Sequence, residues 1–396
     1  MINRFSFLSI FLYILFFIFI STNSSAQEIS SYEERIQNLE DRLNAVAEDK
    51  LESVQAVADF IDRLNMELKV GIWGVHETEY DDAGDSTDIN LDTLELYFKP
   101  DLNEWVHGYV ELEYDDDDDS IKGEEARIIV KNTDKFPLYA AFGKYEAVPF
   151  GNFETFMIED SLTESLGETK EVAAVLGFEQ AGFNFEASIF NADDVTEIDE
   201  DDDPLDQFTL LASYDMDMDP ISLNVGGSYY NNIGNAGDMP DLLATDQIKD
   251  YIGGVGAHAI LGWQGLYLIA EYITALDDFE ENELLFDNQG AQPSAWNLEL
   301  AYETKINDRE TIFALAYQGT DEAISNNDID DTIPETRISA SVGFELFKNI
   351  SLAFEFMHDE NYSEDDFASS GWSPNDYGPV ADEDKQTFIT ELAFAF

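Results

Sequence analysis

Carboxylates dominate the chemistry open to this chain: 85 Asp and Glu stand against 19 Lys and Arg, a formal charge of -66 at neutral pH. Such groups coordinate hard cations, exchange protons or repel anions, and their spacing decides which. Glu111 and Glu113 alternate with Val110, Leu112 and Tyr114, and Glu186 sits between Phe185 and Ala187. Glu271, Glu299, Glu345 and Glu355 recur in the same setting. Period two puts each on the polar face of a strand, so they form an acidic wall and not a compact catalytic pair. The runs Asp81–Asp88 and Asp199–Asp206 supply clustered oxygens without the ligand spacing or turn glycine of a calcium loop. His76, His107, His258 and His358 lie on separate segments with no short metal spacing. No nucleophile elbow or Gly-rich phosphate loop is present, and there is no Cys. The residues therefore point to no enzyme, no metal site and no cofactor, and so few basic groups exclude a nucleic-acid partner.

The elements that must position this wall are mostly strands. Residues 1–26 read as a signal peptide: an early Arg4, the apolar run Phe5–Ile20, then Ser24-Ser25-Ala26 before Gln27. Within 27–64, Tyr32, Ile36, Leu39, Leu43 and Val46 are spaced four, three, four and three, a short heptad seam that predicts a periplasmic coiled coil and self-association, as a homotrimer. From residue 65 to 396 the period is two. Short turns at Pro100–Glu104, Gln180–Gly182, Asp215–Pro220, Gln264–Gly265, Ile306–Arg309 and Lys348–Asn349 alternate with long polar connections. The latter are Thr78–Asp88, Asp115–Gly123, Glu146–Glu171, Ala192–Gln207, Asn231–Lys249, Leu276–Pro293, Thr320–Pro334 and Asp359–Lys385. A sandwich has no reason to sort its loops by length, whereas an outer-membrane barrel does. The fold class is therefore all-β, a transmembrane antiparallel barrel of about 16 strands. Both its ends would lie in the periplasm of a Gram-negative cell. Phe388, Leu392, Phe394 and the terminal Phe396 share one face, the signature read by barrel-assembly machinery. Trp105, Tyr145, Trp263, Tyr267 and Trp296 would join the aromatic girdles against outer-membrane lipid.

The longest connection of the first half carries Phe150, Phe153, Phe156, Met157, Ile158, Leu162 and Leu166, too apolar a set for a loop left in water. It is expected to fold into the barrel, narrow the pore, and present Phe150, Phe153, Glu154, Glu159, Asp160 and Glu168 to the solute. The stretch running from Gly143-Lys144-Tyr145-Glu146-Ala147-Val148-Pro149-Phe150-Gly151 through Asn152-Phe153-Glu154-Thr155, Met157–Thr163 and Leu166–Glu171 resembles the LbtU-type siderophore porins. The order of parts, leader, short coiled coil and a barrel ending in Phe, resembles them over nearly the whole chain. That resemblance implies an outer-membrane receptor that takes up ferric siderophore without a plug domain. The 396 residues agree, since a plugged barrel of about 22 strands needs far more chain. The residues alone leave a general cation-selective diffusion porin for small cationic solutes, or a structural or adhesive surface barrel, as alternatives. The negative wall sits awkwardly with anionic ferric complexes, and a neutral or cationic complex removes the conflict.

Overall fold

In a computed structural model, residues 37, 64–78, 86–115, 120–192, 194–198, 205–323, 333–363, 366–370, 373–379 and 384–396 are described. The chain divides into two units, Met1–Asp62 and Arg63–Phe396, and the architecture below is that of the second. The leader at 1–26 and the heptad helix at 27–64 lie outside the described residues, Gln37 and Leu64 apart.

Period-two patterning produces sixteen barrel strands, each hydrogen-bonded to its neighbours in chain order. The first five are β1 (Met66–Thr78), β2 (Ser86–Phe98), β3 (Val106–Asp115), β4 (Ser120–Asn132) and β5 (Phe136–Tyr145). Next come β6 (Glu171–Gln180), β7 (Phe183–Phe190), β8 (Gln207–Met218), β9 (Ile221–Tyr230), β10 (Gly254–Trp263) and β11 (Leu266–Ala275). The series ends with β12 (Ser294–Ile306), β13 (Arg309–Asp321), β14 (Thr336–Phe347), β15 (Ile350–Glu360) and β16 (Lys385–Ala395). β16 pairs antiparallel with β1, from Lys69 opposite Ala395 to Thr78 opposite Gln386. This closes the barrel and leaves no sheet edge to be satisfied in hydrocarbon. Phe396 extends that seam: its N–H donates to the Leu68 carbonyl at 3.0 Å, and the Leu68 N–H donates back at 3.2 Å.

The outward faces are the apolar ones. Leu176, Phe142, Leu210, Leu268, Leu300, Leu315 and Phe356 are all exposed on the outside, a surface suited to lipid and not to water. Among the described residues no helix is long and apolar enough to cross a membrane. From the β4–β5 turn onward loop lengths alternate as expected, so the barrel has a short-turn end and a long-loop end. The first three connections depart from that rule, because β4 starts at Ser120 and shortens the long loop expected at Asp115–Gly123 to residues 116–119, while residues 99–105 between β2 and β3 match residues 79–85 between β1 and β2 in length. The short turns close tightly through left-handed residues, Ala181 and Gly182 between β6 and β7, Gln264 and Gly265 between β10 and β11, and Asn307 and Asp308 between β12 and β13. Trp263 stands on the outside at the short-turn end, and Trp296 packs edge-on against Tyr317 with centroids 4.8 Å apart. Tyr145 and Tyr267 do not join a girdle. Their parity turns them inward, where Tyr145 is buried and Tyr267 packs on Phe156 at 5.2 Å.

Several long connections are more than polar loops. Between β9 and β10, a 3-10 turn at Ile233–Asn235 and a short helix, Met239–Leu242, bury Ile233, Met239 and Leu242. Between β11 and β12, Phe279, Leu284 and Ala291 are buried while Asp277, Asp278, Glu280 and Glu281 face water. Gln247–Ile248 bridges in parallel to Thr196–Glu197 of the β7–β8 connection. These connections share one apolar cluster with inward residues of β5, β6, β7, β9 and β11, among them Tyr145, Val175, Phe190, Tyr230 and Ile273. The acidic exterior of each connection thus hides an apolar underside, which gives it a place to pack.

Candidate permeation site

The connection between β5 and β6 is drawn into the lumen. Residues 149–170 run across the inner wall, and their backbone N–H groups, leaving water, need acceptors. Lumen-facing carboxylates provide them. Glu271 on β11 accepts from the N–H of Asn152 (2.7 Å) and Phe153 (3.1 Å) and from the Thr163 hydroxyl (3.1 Å). Glu299 on β12 accepts from the Phe156 N–H and the Thr155 hydroxyl, each at 2.8 Å. Glu355 on β15 accepts from the N–H groups of Ile158 and Glu159. Gln318 on β13 takes the Leu162 N–H at 2.8 Å. Ser341 on β14 donates to the Phe156 carbonyl at 3.1 Å.

Packing follows the same track. Inward positions of β12 and β13 are Ala301, Ala314 and Ala316, small enough for Met157 and Phe156 to lie against them. A helix of six residues, α1 (Leu162–Gly167), is capped by Ser161 and buries Leu162 and Leu166. Phe150 and Phe153 secure the entry, and Gly151 at φ +79 makes the turn between them while leaving room for the Phe153 ring, which a methyl group there would overlap. At Gly167 a methyl group would sit 2.4 Å from Ile273 and 2.9 Å from the Phe153 ring. Only glycine permits that approach.

Beside the segment, along β1, β2 and β16 and the parts of β14 and β15 flanking Ser341 and Glu355, the lumen holds two cavities. One cavity of about 400 Å³ lies toward the long-loop end, lined by Trp73, Glu77, Asp88, Asp92, Glu159, Arg337, Asp359 and Lys385. A second, also about 400 Å³, lies toward the short-turn end, lined by Lys69, Thr93, Glu95, Glu310, Glu345 and Glu391. The two follow one another along the same strands: on β1 the first takes Trp73 to Glu77 and the second Lys69 to Gly71. Each basic group lining them is paired. Arg337 donates to Asp359 through Nε (2.8 Å) and Nη2 (3.0 Å), Lys385 meets Glu77 at 2.7 Å, and Lys69 meets Glu95 at 3.2 Å. Arg337 also donates to the Asp160 carbonyl at 3.4 Å, which ties the tip of the segment to the open side.

The sequence-derived site residues therefore separate. Of the seven wall glutamates, Glu345 lines the passage. Glu271, Glu299 and Glu355 have the lumen-facing parity expected of them, yet they are 5 %, 1 % and 1 % exposed beneath the segment. A buried backbone donor claims them before a solute reaches them. Glu111 is buried and accepts from Tyr109 at 3.0 Å, Glu186 accepts from Tyr139, and Glu113 stands on the lumen face of β3. Of the segment residues, Glu159 lines the passage. Phe150, expected to touch solute, is 1 % exposed in the apolar core against Tyr230, and Phe153 is half-buried beside it. Glu154 and Asp160 are exposed, and Glu168 stands at the base of the segment, 3.7 Å from Lys170. Desolvation inside the lumen pushes the Glu159 carboxyl above its ordinary range against Arg337; it pushes Asp160 up as well, against Lys170 and then Arg337, although the Asp160 side chain itself faces open lumen. Desolvation and neighbouring acids push Glu164 up to about 8; Glu168 reaches about 7, with Lys170 opposing.

Asp88, Asp92, Glu77, Glu95, Asp359 and Arg337 were missed as passage residues. The polar composition of Thr78–Asp88 reads as a loop, but β2 begins two residues before Asp88, at Ser86. On β2 the inward face changes parity where the β1–β2 register shifts between Gly71 and Ile72, opposite Thr93 and Leu91, so Asp92 and Thr93 both line cavities. Strict alternation hides such a pair.

No family profile matches the chain. It is 28% identical over 317 residues to a UPF0422 protein of Coxiella burnetii, covering 78% of this chain and 67% of that one. A UPF0422 protein of Legionella pneumophila strain Philadelphia 1 is 25% identical over 308 residues, covering 71% of this chain and 56% of the relative. The chain thus matches little more than half the length of that Legionella protein. Among solved structures, an anion-selective porin from Comamonas acidovorans superposes with a TM-score of 0.57 at 12% identity, over 84% of this chain and 99% of that one. OprB of Pseudomonas putida gives 0.55 at 11% identity, over 86% and 96%. The fold is that of the porins, a closed antiparallel barrel of sixteen strands.

Proposed function

We propose that the protein is a passive channel of a Gram-negative outer membrane that favours small cationic solutes. The observation that carries this reading is the passage itself, two successive cavities in which each lysine and arginine is ion-paired and further carboxylates are left over. Carboxylates on a low-dielectric wall focus the field and raise the local concentration of cations. Fold supplies no selectivity, since one barrel architecture serves anions and cations alike. In this reading the short turns and both termini face the periplasm, where the heptad helix trimerises the barrels, and Phe396 hands the chain to the assembly machinery. Purified protein in a planar bilayer under a potassium chloride gradient is expected to show a reversal potential of cationic sign. An anionic sign rejects the reading.

Ferric-siderophore uptake is the second reading, and one observation favours it. The stretch that resembles the LbtU-type siderophore porins, within residues 143–171, contains the segment that crosses the lumen. A neutral or cationic ferric complex suits the acidic passage. Saturable uptake of such a complex, lost with the segment, supports this reading; linear, non-saturable uptake removes it.

A further inference from the structure

The passage has a feature that general cation preference does not require: its unpaired carboxylates are strung out along the axis. Asp88, Asp92 and Glu159 line the first cavity, and Glu345 and Glu391 the second; among the described residues none of the five is in an ion pair. They come from β2, the inward segment, β14 and β16. Asp88 and Asp92 alone are four residues apart on one strand, about 13 Å. No three acid or imidazole side chains among the described residues come together as a metal-binding group. A hard metal ion needs six or more oxygens converging on one point, and this geometry disperses them. Trp73 stands at the junction, lining the first cavity while its register partner Glu391 lines the second. An indole beside a carboxylate suits an alkylammonium group, whose methylenes pack on the ring while its charge meets the carboxylate.

We propose that the passage is a binding track for linear organic polycations, whose ammonium groups, spaced along an aliphatic chain, engage its carboxylates one after another. This rests on the channel reading and names its substrate class. Each cavity is of a size that holds a small molecule, a few hundred Å³. Linking the ammonium groups makes every contact after the first intramolecular, so affinity should climb with their number and not with charge alone.

The test uses the purified full chain in detergent, titrated calorimetrically at constant ionic strength with propylamine, putrescine, spermidine and magnesium chloride. Spermidine is expected to bind about tenfold more tightly than putrescine, and putrescine more tightly than magnesium ion at the same charge. The paired change Asp88→Asn with Asp92→Asn, and separately Glu391→Gln, should each weaken spermidine several-fold. Unchanged heat-modifiable mobility on gels checks that the barrels are folded. Magnesium binding as tightly as putrescine, or spermidine binding untouched in both variants, overturns the proposal in favour of plain charge screening or a site on the outer loops. Cation-selective current without amine binding overturns this inference and leaves the channel reading standing. Amine binding without current supports the track and removes the channel.

Discussion

The two halves of the lumen put the same side chain to opposite uses. Around β5 to β13 the interior is filled: an apolar cluster from the long-loop connections and the inward segment packs against the wall. There Glu271 and Glu299 hold backbone N–H groups. Around β1, β2 and β16, and on β14 and β15 away from the anchors Ser341 and Glu355, the interior is open, and Glu345, Glu391 and Asp92 face a passage. All face the lumen, so the face of the strand alone does not tell an anchor from a selectivity group. What lies across from the carboxylate decides. A buried amide turns it into structure, and water leaves it free to act on a solute.

The comparison breaks most visibly if the filled half can be emptied. Deleting Phe153–Leu166 removes the segment and should raise single-channel conductance several-fold, since the passage would widen to the barrel wall. Unchanged conductance would mean that the segment does not bound the path. A smaller effect is expected from Glu271→Ala, which strips an acceptor from the Asn152 and Phe153 N–H groups and the Thr163 hydroxyl. Each orphaned buried donor costs about 1–3 kcal/mol. The segment should then become sensitive to added protease and the current should flicker, while the barrel keeps its heat-modifiable mobility. A protease-resistant segment and a quiet current would show that apolar packing alone suffices to seat it.

How much of this was legible in the sequence depended on how local the signal was. Strand alternation, loop-length sorting and the terminal Phe are local, and they specify a barrel of sixteen strands without any tertiary information. The apolar residues of 149–170 announced that the connection needs cover, because hydrophobic content is also a local property. Which wall it would lie on was not legible. That depends on Ala301, Ala314 and Ala316 making room and on Glu271, Glu299 and Glu355 standing where its N–H groups fall, a coincidence spread over 84 residues from Glu271 to Glu355. The passage acids Asp88 and Asp92 were hidden for another reason. Asp88 falls where the pattern reads as loop although β2 already begins at Ser86, and at Asp92 a register shift lets it and Thr93 both face inward, so a strict period-two reading that keeps Thr93 discards Asp92.

Charge neutralisation sharpens the contrast between the halves. Replacing Asp88 and Asp92 by Asn should move the reversal potential under a salt gradient toward zero by several millivolts, on the order of the field two exposed wall charges supply. Glu299→Gln keeps a carbonyl acceptor under the segment and should leave the reversal potential where it was. If Glu299→Gln shifts selectivity as much as the β2 pair, the filled half is open to ions and the division drawn above fails.

The smallest expected effect is a pH dependence of the segment's seating. Glu164 and Glu168, at the base of the segment, are pushed up to about 8 and about 7, first by burial and then, for Glu164, by Asp160 and Glu168, and for Glu168 by Glu146 and Asp160 against the pull of Lys170. A carboxyl whose pKa is raised in the folded state binds more protons there than in the unfolded chain. It therefore adds stability that is complete below its ordinary pKa and is lost as pH rises through the folded value. The window runs from the ordinary carboxylate range near 4.5 to about 8. The seated segment should accordingly resist protease better at the acid end of that window than above it. Glu164→Gln, which carries no charge at any pH, should flatten the upper part of the profile. Both groups are partly in contact with water, so screening keeps the change modest. A wild-type profile that is flat across the window, or one that rises with pH, would show that these two carboxyls ionise at their ordinary values and that the base of the segment is open to solvent.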